Sequence, residues 1–271
     1  MRNAVCPFCG NPAERETRFA AVLSCRRHGR FEWFDREGIA DVDLVRIYQS
    51  YPYNVSLKTD YEIMRPKYVR GLRRRIRGYF ETPADRGFLD VGCANGEYLD
   101  CAKELGLNPV VGVEIDQKAA TQARVFGPVH ASIKDAGGPF DIVQCKNVLS
   151  NIEDFDGFFA ALLRLTRPGG VLFLDVLNQF GFVARAKKMM GRPGILRPPF
   201  VINGFSMASV RALAVKHGAQ VRKLGTTYSG SDLLPYRESL GLAVRGRFTR
   251  MLGAASMITA DILPDAGAAI R

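Results

Sequence analysis

The stretch Phe88-Leu-Asp-Val-Gly-Cys-Ala-Asn-Gly96 decides how the chain is read. A short apolar run carries an acid, Asp90, and breaks at once into Gly92, Cys93, Ala94, Asn95 and Gly96. Beyond the break, Tyr98, Leu99, Cys101, Ala102 and Leu105 recur at helical spacing. An apolar run, then glycines, then a helical period predicts strand, tight loop and helix. Small residues at 92, 94 and 96 let the loop backbone lie against a ligand, and the amides at the start of the next helix favour polar or anionic groups. The loop reads as a ligand cradle.

Two common glycine-rich cradles are ruled out by what is missing. There is neither the G-x-G-x-x-G of a dinucleotide site nor the Lys-Ser/Thr pair of a P-loop. Asp90 stands two residues before the first glycine, where a carboxylate faces a cation and repels a pyrophosphate. S-adenosylmethionine, with an ammonium and a sulfonium, has the matching charge. Val110 to Asp116 (VVGVEID) reads as a second buried strand ending in Glu114, the place where doubly wound folds put an acid for the two ribose hydroxyls. Phe140 to Leu149 is a further strand after the turn Gly137-Gly138-Pro139, and Leu165 to Leu177 is a turn plus a strongly apolar strand.

With these four landmarks in order, the sequence resembles the class I S-adenosylmethionine-dependent methyltransferases over roughly residues 85 to 225. The resemblance implies an α/β fold, a Rossmann-like seven-stranded sheet with helices on both faces. It also implies the cofactor contacts: Asp90 with Gly92, Cys93, Ala94, Asn95 and Gly96 at the methionine end, Glu114 with the adjacent Ile115 at the ribose, Ser132 and Ile133 near adenine, and Asn147 after the fourth strand. Ser132 stands where the family places an acid, which leaves the adenine amino group to Asp135 or to backbone. Many relatives carry Glu-His where this chain has Ser150-Asn151, so the usual proton acceptor is missing and no general base is assigned. His130 and His217 fall on no familiar catalytic position.

The first 38 residues carry a different chemistry. Cys6-Pro-Phe-Cys9-Gly10 is a knuckle whose two thiolates face one ion, and Cys25-Arg-Arg-His28-Gly29 repeats the spacing with an imidazole last. Cys6, Cys9, Cys25 and His28 make a closed tetrahedral zinc set of the structural kind. Such an ion would supply most of the folding energy of so short a piece. The alternative is a group of reduced cysteines beside a surface histidine. Arg18 to Leu23 and Arg30 to Phe34 look like the strands of a zinc ribbon. By resemblance, similar knuckles precede the catalytic domain in some bacterial methyltransferases acting on sugars and in a group that modifies ribosomal RNA. The sugar-type pattern usually ends in cysteine, where this chain has His28.

The expected division is a zinc-ribbon-like module over residues 1–38, a connector or lid with a basic helix over 39–84, and the methyltransferase domain over 85–271. The connector carries Tyr48, Tyr51 and Tyr53, and by resemblance to methyltransferases whose corresponding segment folds over the cofactor, Tyr51 and Tyr53 either line the site or pack on the sheet. From Tyr61 to Tyr79, apolar residues at 61, 64, 68, 72, 76 and 79 make a helical stripe. Opposite it stand Arg65, Lys67, Arg70, Arg73, Arg74, Arg75 and Arg77, a solvated face or a track for phosphates. Residues 178–205, with Phe180, Phe182, Arg185, Lys187, Lys188, Met189 and Met190 before a run of glycines and prolines, read as a helix and ordered loop over the site mouth or as a surface excursion. A helix over 206–217, a strand over 219–227, a helix over 236–252 and a strand over 255–263 close the fold, the last strand antiparallel by resemblance.

At 271 residues, 47% hydrophobic and 24% charged, the chain has the composition of a soluble globular protein. It shows no signal-peptide pattern and no run of membrane-spanning length, and six cysteines fit a reducing compartment. A cytoplasmic protein is expected. The net charge of +11 invites RNA, anionic lipid or phosphorylated substrates, or is a solvated surface. The leading reading is methyl transfer to a small-molecule or sugar-type acceptor. The alternatives are an RNA methyltransferase that grips nucleic acid through the zinc module and basic helix, and a cofactor-binding or interaction module without catalysis.

Overall fold

A computed structural model of the protein describes residues 5–15, 22–28, 30–34, 57–197, 200–227 and 257–265. In chain order its elements are β1 (Glu14–Arg15), β2 (Val22–Cys25), β3 (Phe31–Phe34), α1 (Leu57–Ile76), β4 (Phe88–Val91), α2 (Glu97–Glu104), β5 (Val110–Val113), α3 (Gln117–Ala123) and β6 (Val129–His130). They continue with β7 (Phe140–Lys146), α4 (Phe155–Leu165), β8 (Thr166–Leu177), α5 (Phe182–Met189), β9 (Asn203–Gly204), α6 (Met207–Lys216), β10 (Gln220–Thr227) and β11 (Met257–Leu263). Tyr48, Tyr51, Tyr53 and the helix expected over 236–252 lie outside the described residues. Elsewhere the sequence boundaries differ by a few residues. The largest difference is β8, which starts at Thr166 and takes in the expected turn, where Gly169 has φ 78 and Gly170 passes so close to the Asp141 carbonyl that a Cβ would sit 2.6 Å from its oxygen.

Seven strands form one sheet in the order β10-β11-β8-β7-β4-β5-β6. From β4 the chain builds outward on one side through β5 and β6 and on the other through β7 and β8, so the order reverses beside β4. Ligands in such sheets bind at the carboxyl ends of the strands flanking that reversal. β4 pairs in parallel with β5 and with β7, with Asp90 opposite Gly112 on one side and Gln144 on the other. Both β4 and β5 are buried along their whole length, as their unbroken Phe, Leu and Val runs require of a covered parallel sheet.

The described residues divide into two compact units. One comprises Ile39–Lys146, Ala161–Phe173 and Leu263–Arg271. Its core gathers Phe88, Ile142, Val171 and Phe173 from the strands, Leu99, Cys101 and Ala102 from α2, and Val69, Leu72 and Ile76 from α1. The α1 residues fall at the i, i+3, i+7 spacing that one helical face presents. Two cations of the basic stripe serve this packing. Arg65 forks onto Asp100 at 2.6 and 3.2 Å and reaches Glu104 at 2.6 Å, and Arg75 lies 4.4 Å from the Phe173 ring centroid. Lys67, Arg70, Arg73, Arg74 and Arg77 are exposed.

The other unit comprises Met1–Gly38, Asn147–Ala160 and Leu174–Ile262. Here β1, β2 and β3 form an antiparallel meander that continues into β9, with Glu32 opposite Gly204 and Trp33 opposite Asn203. Phe31 anchors it, its ring 5.1 Å from Phe155, 5.2 Å from Phe205 and 5.8 Å from Phe8. Glu32 is buried, and its carboxylate accepts from Lys188 Nζ at 2.6 and 2.7 Å and from Gln179 Nε2 at 2.7 Å. Among the described residues no helix is long and apolar enough to cross a membrane.

At the amino ends of the central strands, the buried Asp141 carboxylate accepts from Gly87 N at 2.8 Å and from Arg167 at 3.2 Å, with Arg86 at 3.6 Å. Asp141→Ala leaves a buried amide and two guanidinium groups without their acceptor. Its expected cost is about 1–3 kcal/mol, read as a lower denaturant midpoint at unchanged slope; an unchanged midpoint would remove Asp141 from the forces holding these strands.

Candidate functional site

The loop from β4 to α2 is shaped by three left-handed residues, Gly92 (φ 78), Ala94 (φ 48) and Gly96 (φ 91). Glycine is needed at 96, since a Cβ there would lie 2.8 Å from a Phe126 ring carbon and 2.9 Å from the Ala123 Cα. Glycine is also needed at 112, beneath the loop, where a Cβ would lie 2.7 Å from Cys93 Sγ. Cys93 itself is buried, and burial raises its thiol pKa, which makes it a packing residue rather than a nucleophile.

Glu114, just past β5, holds this loop. Its Oε2 accepts from Ala94 N and its Oε1 from Asp116 N, both at 2.9 Å. Burial raises its pKa, while the backbone bonds oppose that shift. Asp90 is buried, and Gln144 Nε2, brought opposite by the strand register, donates to its Oδ1 at 3.1 Å. Burial pushes the Asp90 carboxyl up to about 7, with Gln144 and Lys146 opposing and Glu97 and Glu114 adding to the rise. Glu97, the first residue of α2, is likewise raised by burial. Asn95 Oδ1 is buried without a hydrogen-bond partner, and Ile115, next to Glu114, is an exposed apolar side chain. Ser132 caps a short 3-10 turn (Ile133–Asp135) after β6, accepting from Lys134 N at 3.2 Å, and both Ser132 and Ile133 are half-buried.

The structure thus gathers Asp90, residues 92–96, Glu114 and Ile115 around the carboxyl ends of β4 and β5, with Ser132 and Ile133 past the end of β6. Asn147 belongs to the other unit. It follows β7 with φ 60, its amide donates to Asp175 O at 2.9 Å, and its Oδ1 is buried without a partner.

Sequence reasoning missed Lys146, the last residue of β7. Its Nζ donates to Tyr98 OH at 2.8 Å and lies 4.8 Å from the Tyr98 ring centroid, and Tyr98 stacks on Tyr68, which stacks on Tyr61. The rule that picked out Asp90 and Glu114, an ionisable residue at the end of an apolar strand, applies equally to Lys146. Glu97 could have been found as an acid directly after the last loop glycine.

In the other unit, Cys6, Cys9 and Cys25 bring their sulfurs within 4.8 Å of one another. The knuckle is closed by Cys9 N and Gly10 N donating to Cys6 O, and Gly10 takes φ 68. Burial raises the Cys6 thiol to about 12. At Cys9 burial acts the same way, but hydrogen bonds from Asn11, His28 and Cys6 outweigh it and bring the thiol to about 6. His28 stands outside the three-sulfur cluster, its ring stacked on Phe8 at 4.6 Å and its Nε2 buried without a partner.

Known proteins match this architecture. The chain is 29% identical over 106 residues to the ubiquinone biosynthesis O-methyltransferase of Bordetella avium, covering 35% of this chain and 44% of that protein. It is 30% identical over 126 residues to the enzyme of the same name from Aromatoleum aromaticum, covering 42% and 53%. The chain therefore spans about half the length of these curated relatives. Among solved structures, magnesium protoporphyrin IX methyltransferase from Synechocystis PCC 6803 with bound SAH superposes with a TM-score of 0.55 at 16% identity, covering 83% and 94% of the two chains. An S-adenosylmethionine-dependent methyltransferase from Mesorhizobium loti gives 0.51 at 16% identity, covering 70% and 96%. At such identities the superpositions establish the fold. The general sequence model of a methyltransferase domain matches residues 61–233, a span that takes in the cradle loop and Glu114. The chain belongs to the methyltransferase domain family.

Proposed function

We propose that this chain is an S-adenosylmethionine-dependent methyltransferase acting on a small-molecule or sugar-type acceptor. The observation that carries the reading is the acidic, partly unsatisfied cradle beside β4: the buried Asp90 with the half-buried Glu97 and Glu114 around a loop whose buried Asn95 Oδ1 has no hydrogen-bond partner. An ammonium and two hydroxyls supply the donors that such a set lacks, and the exposed Ile115 offers an apolar surface to a base. In this assignment Asp90 and residues 92–96 hold the methionine end, Glu114 with the adjacent Ile115 the ribose, Ser132 and Ile133 the adenine side, and Asn147, after the fourth strand of the domain, is a further cofactor contact. When bound, the cofactor supplies an electrophilic methyl on a sulfonium, suited to in-line displacement. The chain's own part is to orient the two reactants and exclude water. The curated relatives are named as O-methyltransferases of ubiquinone biosynthesis, which supports a small hydroxyl-bearing acceptor. Residues 178–205 are the proposed acceptor-selecting segment, and residues 1–38, 39–84 and 85–271 the proposed module, connector and catalytic domain. The test is transfer of labelled methyl from S-adenosylmethionine into an extract of cells lacking the gene, fractionated by class. Label in the glycan or small-molecule fraction is expected, and label confined to RNA would overturn the acceptor class in favour of the cationic face of α1.

Asp90 gives the cofactor half a pH signature. Its carboxylate must be ionised to hold an ammonium, so affinity for the cofactor is expected to rise with pH through about 7, the value burial imposes. In the free protein the sign reverses. A carboxyl raised above its unfolded value favours the fold while protonated, and that contribution is lost as pH rises through about 7. Calorimetric titration across the window is expected to show this slope, with Asp90→Asn binding at least about tenfold more weakly and without it. A wild-type profile as flat as the variant's would remove Asp90 from the cofactor contacts.

The zinc assignment rests on three converging sulfurs, with His28, whose Nε2 is buried without a partner, as the proposed fourth ligand. One zinc per chain is expected as purified. Trp33, the single tryptophan, lies buried in β3, and its emission reports on the meander. Chelation is expected to red-shift that emission and added zinc to restore it, with Cys9→Ser behaving as the chelated protein. Metal-free protein with the native Trp33 spectrum would end the assignment.

A further inference from the structure

The positive charge of this chain is unevenly placed. From Val176 to Ser231 there is no aspartate or glutamate, while Arg185, Lys187, Lys188, Arg192, Arg197, Arg211, Lys216, Arg222 and Lys223 stand in the same stretch. Within it, α5 is built inside out. At about 100° per residue, Ala184 and Lys188 share one side of the helix, and Phe182, Arg185 and Met189 share another, about a third of a turn away. The inward side carries a lysine. Ala184 is fully buried, and Lys188 turns its ammonium onto the buried Glu32 carboxylate. The outward side carries the apolar bulk. Phe182 is 61% exposed, Met189 85%, and Met190, next in the chain, 66%.

A helix held by an ion pair beneath, with an aromatic and two methionines above, does not follow from the needs of its own core. Large exposed apolar groups clustered on one element mark a contact surface. Their flanks name the kind of contact. Arg185 and Arg192 are exposed and Lys187 half-buried, and none forms an ion pair among the described residues. Apolar side chains that reach outward between free cations match an anionic lipid interface, where the apolar groups enter the acyl boundary and the cations meet headgroups. A nucleic acid would use the cations but has no use for two methionines, since base stacking calls on aromatic rings and guanidinium planes. A second copy of this chain would bring the same positive charge to the contact.

We propose that α5 and the turn after it, through Phe182, Met189 and Met190 with Arg185 and Arg192, form a peripheral docking surface for an anionic membrane. The surface does not depend on which acceptor receives the methyl. The test is co-sedimentation of the full chain with phosphatidylcholine vesicles and with vesicles carrying about one third phosphatidylglycerol. Partition onto the anionic vesicles is expected to be at least about tenfold stronger and to fall at high salt. The double variant Phe182→Ser/Met189→Ser is expected to weaken it about tenfold, with an unfolding midpoint near that of the wild type because both side chains are already in water. Arg185→Glu/Arg192→Glu is expected to abolish the preference for anionic over neutral lipid. Equal partition onto both vesicle types, or unchanged partition of the serine variant, would overturn the proposal. So would a self-association seen in lipid-free sedimentation that the serine variant loses, which would assign the face to a second copy.

Discussion

Two backbone amides, from Ala94 and from Asp116, converge on the carboxylate of Glu114. The glycine loop turns through three left-handed residues, one of them an alanine; Gly92 N and Cys93 N donate to Val113 O and Gly96 N to Cys93 O, while the Ala94 amide needs another acceptor. Glu114 provides it. Asp116, held by the same carboxylate, then caps α3 by accepting from Lys118 N. One side chain therefore fixes the cradle, the end of β5 and the start of the next helix. Each carboxylate oxygen has a second lone pair, so the proposed contact with ribose hydroxyls adds to this role rather than competing with it. The consequence for mutagenesis is that Glu114→Ala disturbs the shape of the loop as well as the ligand contact. Asp90, whose side chain among the described residues is hydrogen-bonded by Gln144 and ties down no backbone of the loop, is the cleaner probe of the site.

What the sequence discloses is what is local. The cradle and the strands leading into it are legible because an apolar run, an acid and three small residues must occur together in the chain to make a strand, a contact and a turn. Asp90 and Glu114 are read by the same token. Lys146 is different in kind: the end of β7 is as visible as the other two, but its partners Tyr98 and Tyr68 lie on α2 and α1 and become neighbours only on folding. The same applies to the basic stripe of α1. Periodicity puts seven cations opposite the apolar face, and nothing local tells that Arg65 is spent on Asp100 and Glu104, or Arg75 on the Phe173 ring. The pairing of β3 with β9 is the least legible feature. β9 is two residues long, Asn203-Gly204, with no alternation to betray it, and what admits it is the missing side chain of Gly204, where a Cβ would lie 2.7 Å from Gln179.

That pairing changes how the amino-terminal meander is to be understood. From composition it reads as an appendage that a metal would fold in isolation. In the structure its third strand is hydrogen-bonded to β9, Phe31 sits among Phe8, Phe155 and Phe205, and Glu32 is buried beneath α5. A buried carboxylate is tolerated only when paired and hydrogen-bonded. Glu32 meets that condition with Lys188 and Gln179, and Gln179 in turn accepts from Ile195 N at 2.8 Å and donates to Pro193 O at 3.0 Å.

A line of contacts thus runs from the cysteine knuckle along β3 to Glu32, through Lys188 into α5 and through Gln179 into residues 193–195. Each link is short and most of it is buried, so a change at the knuckle that moves β3 must either carry Glu32 with it or leave two polar partners unsatisfied. Leaving a buried charge unpaired costs several kcal/mol, more than a short helix with one small buried side chain recovers by its own packing. The helix would follow the strand. The orientation of the Phe182 and Met189 face is therefore set less by α5 than by the meander beneath it, and the charge turned inward at Lys188 is what leaves the apolar side chains outside.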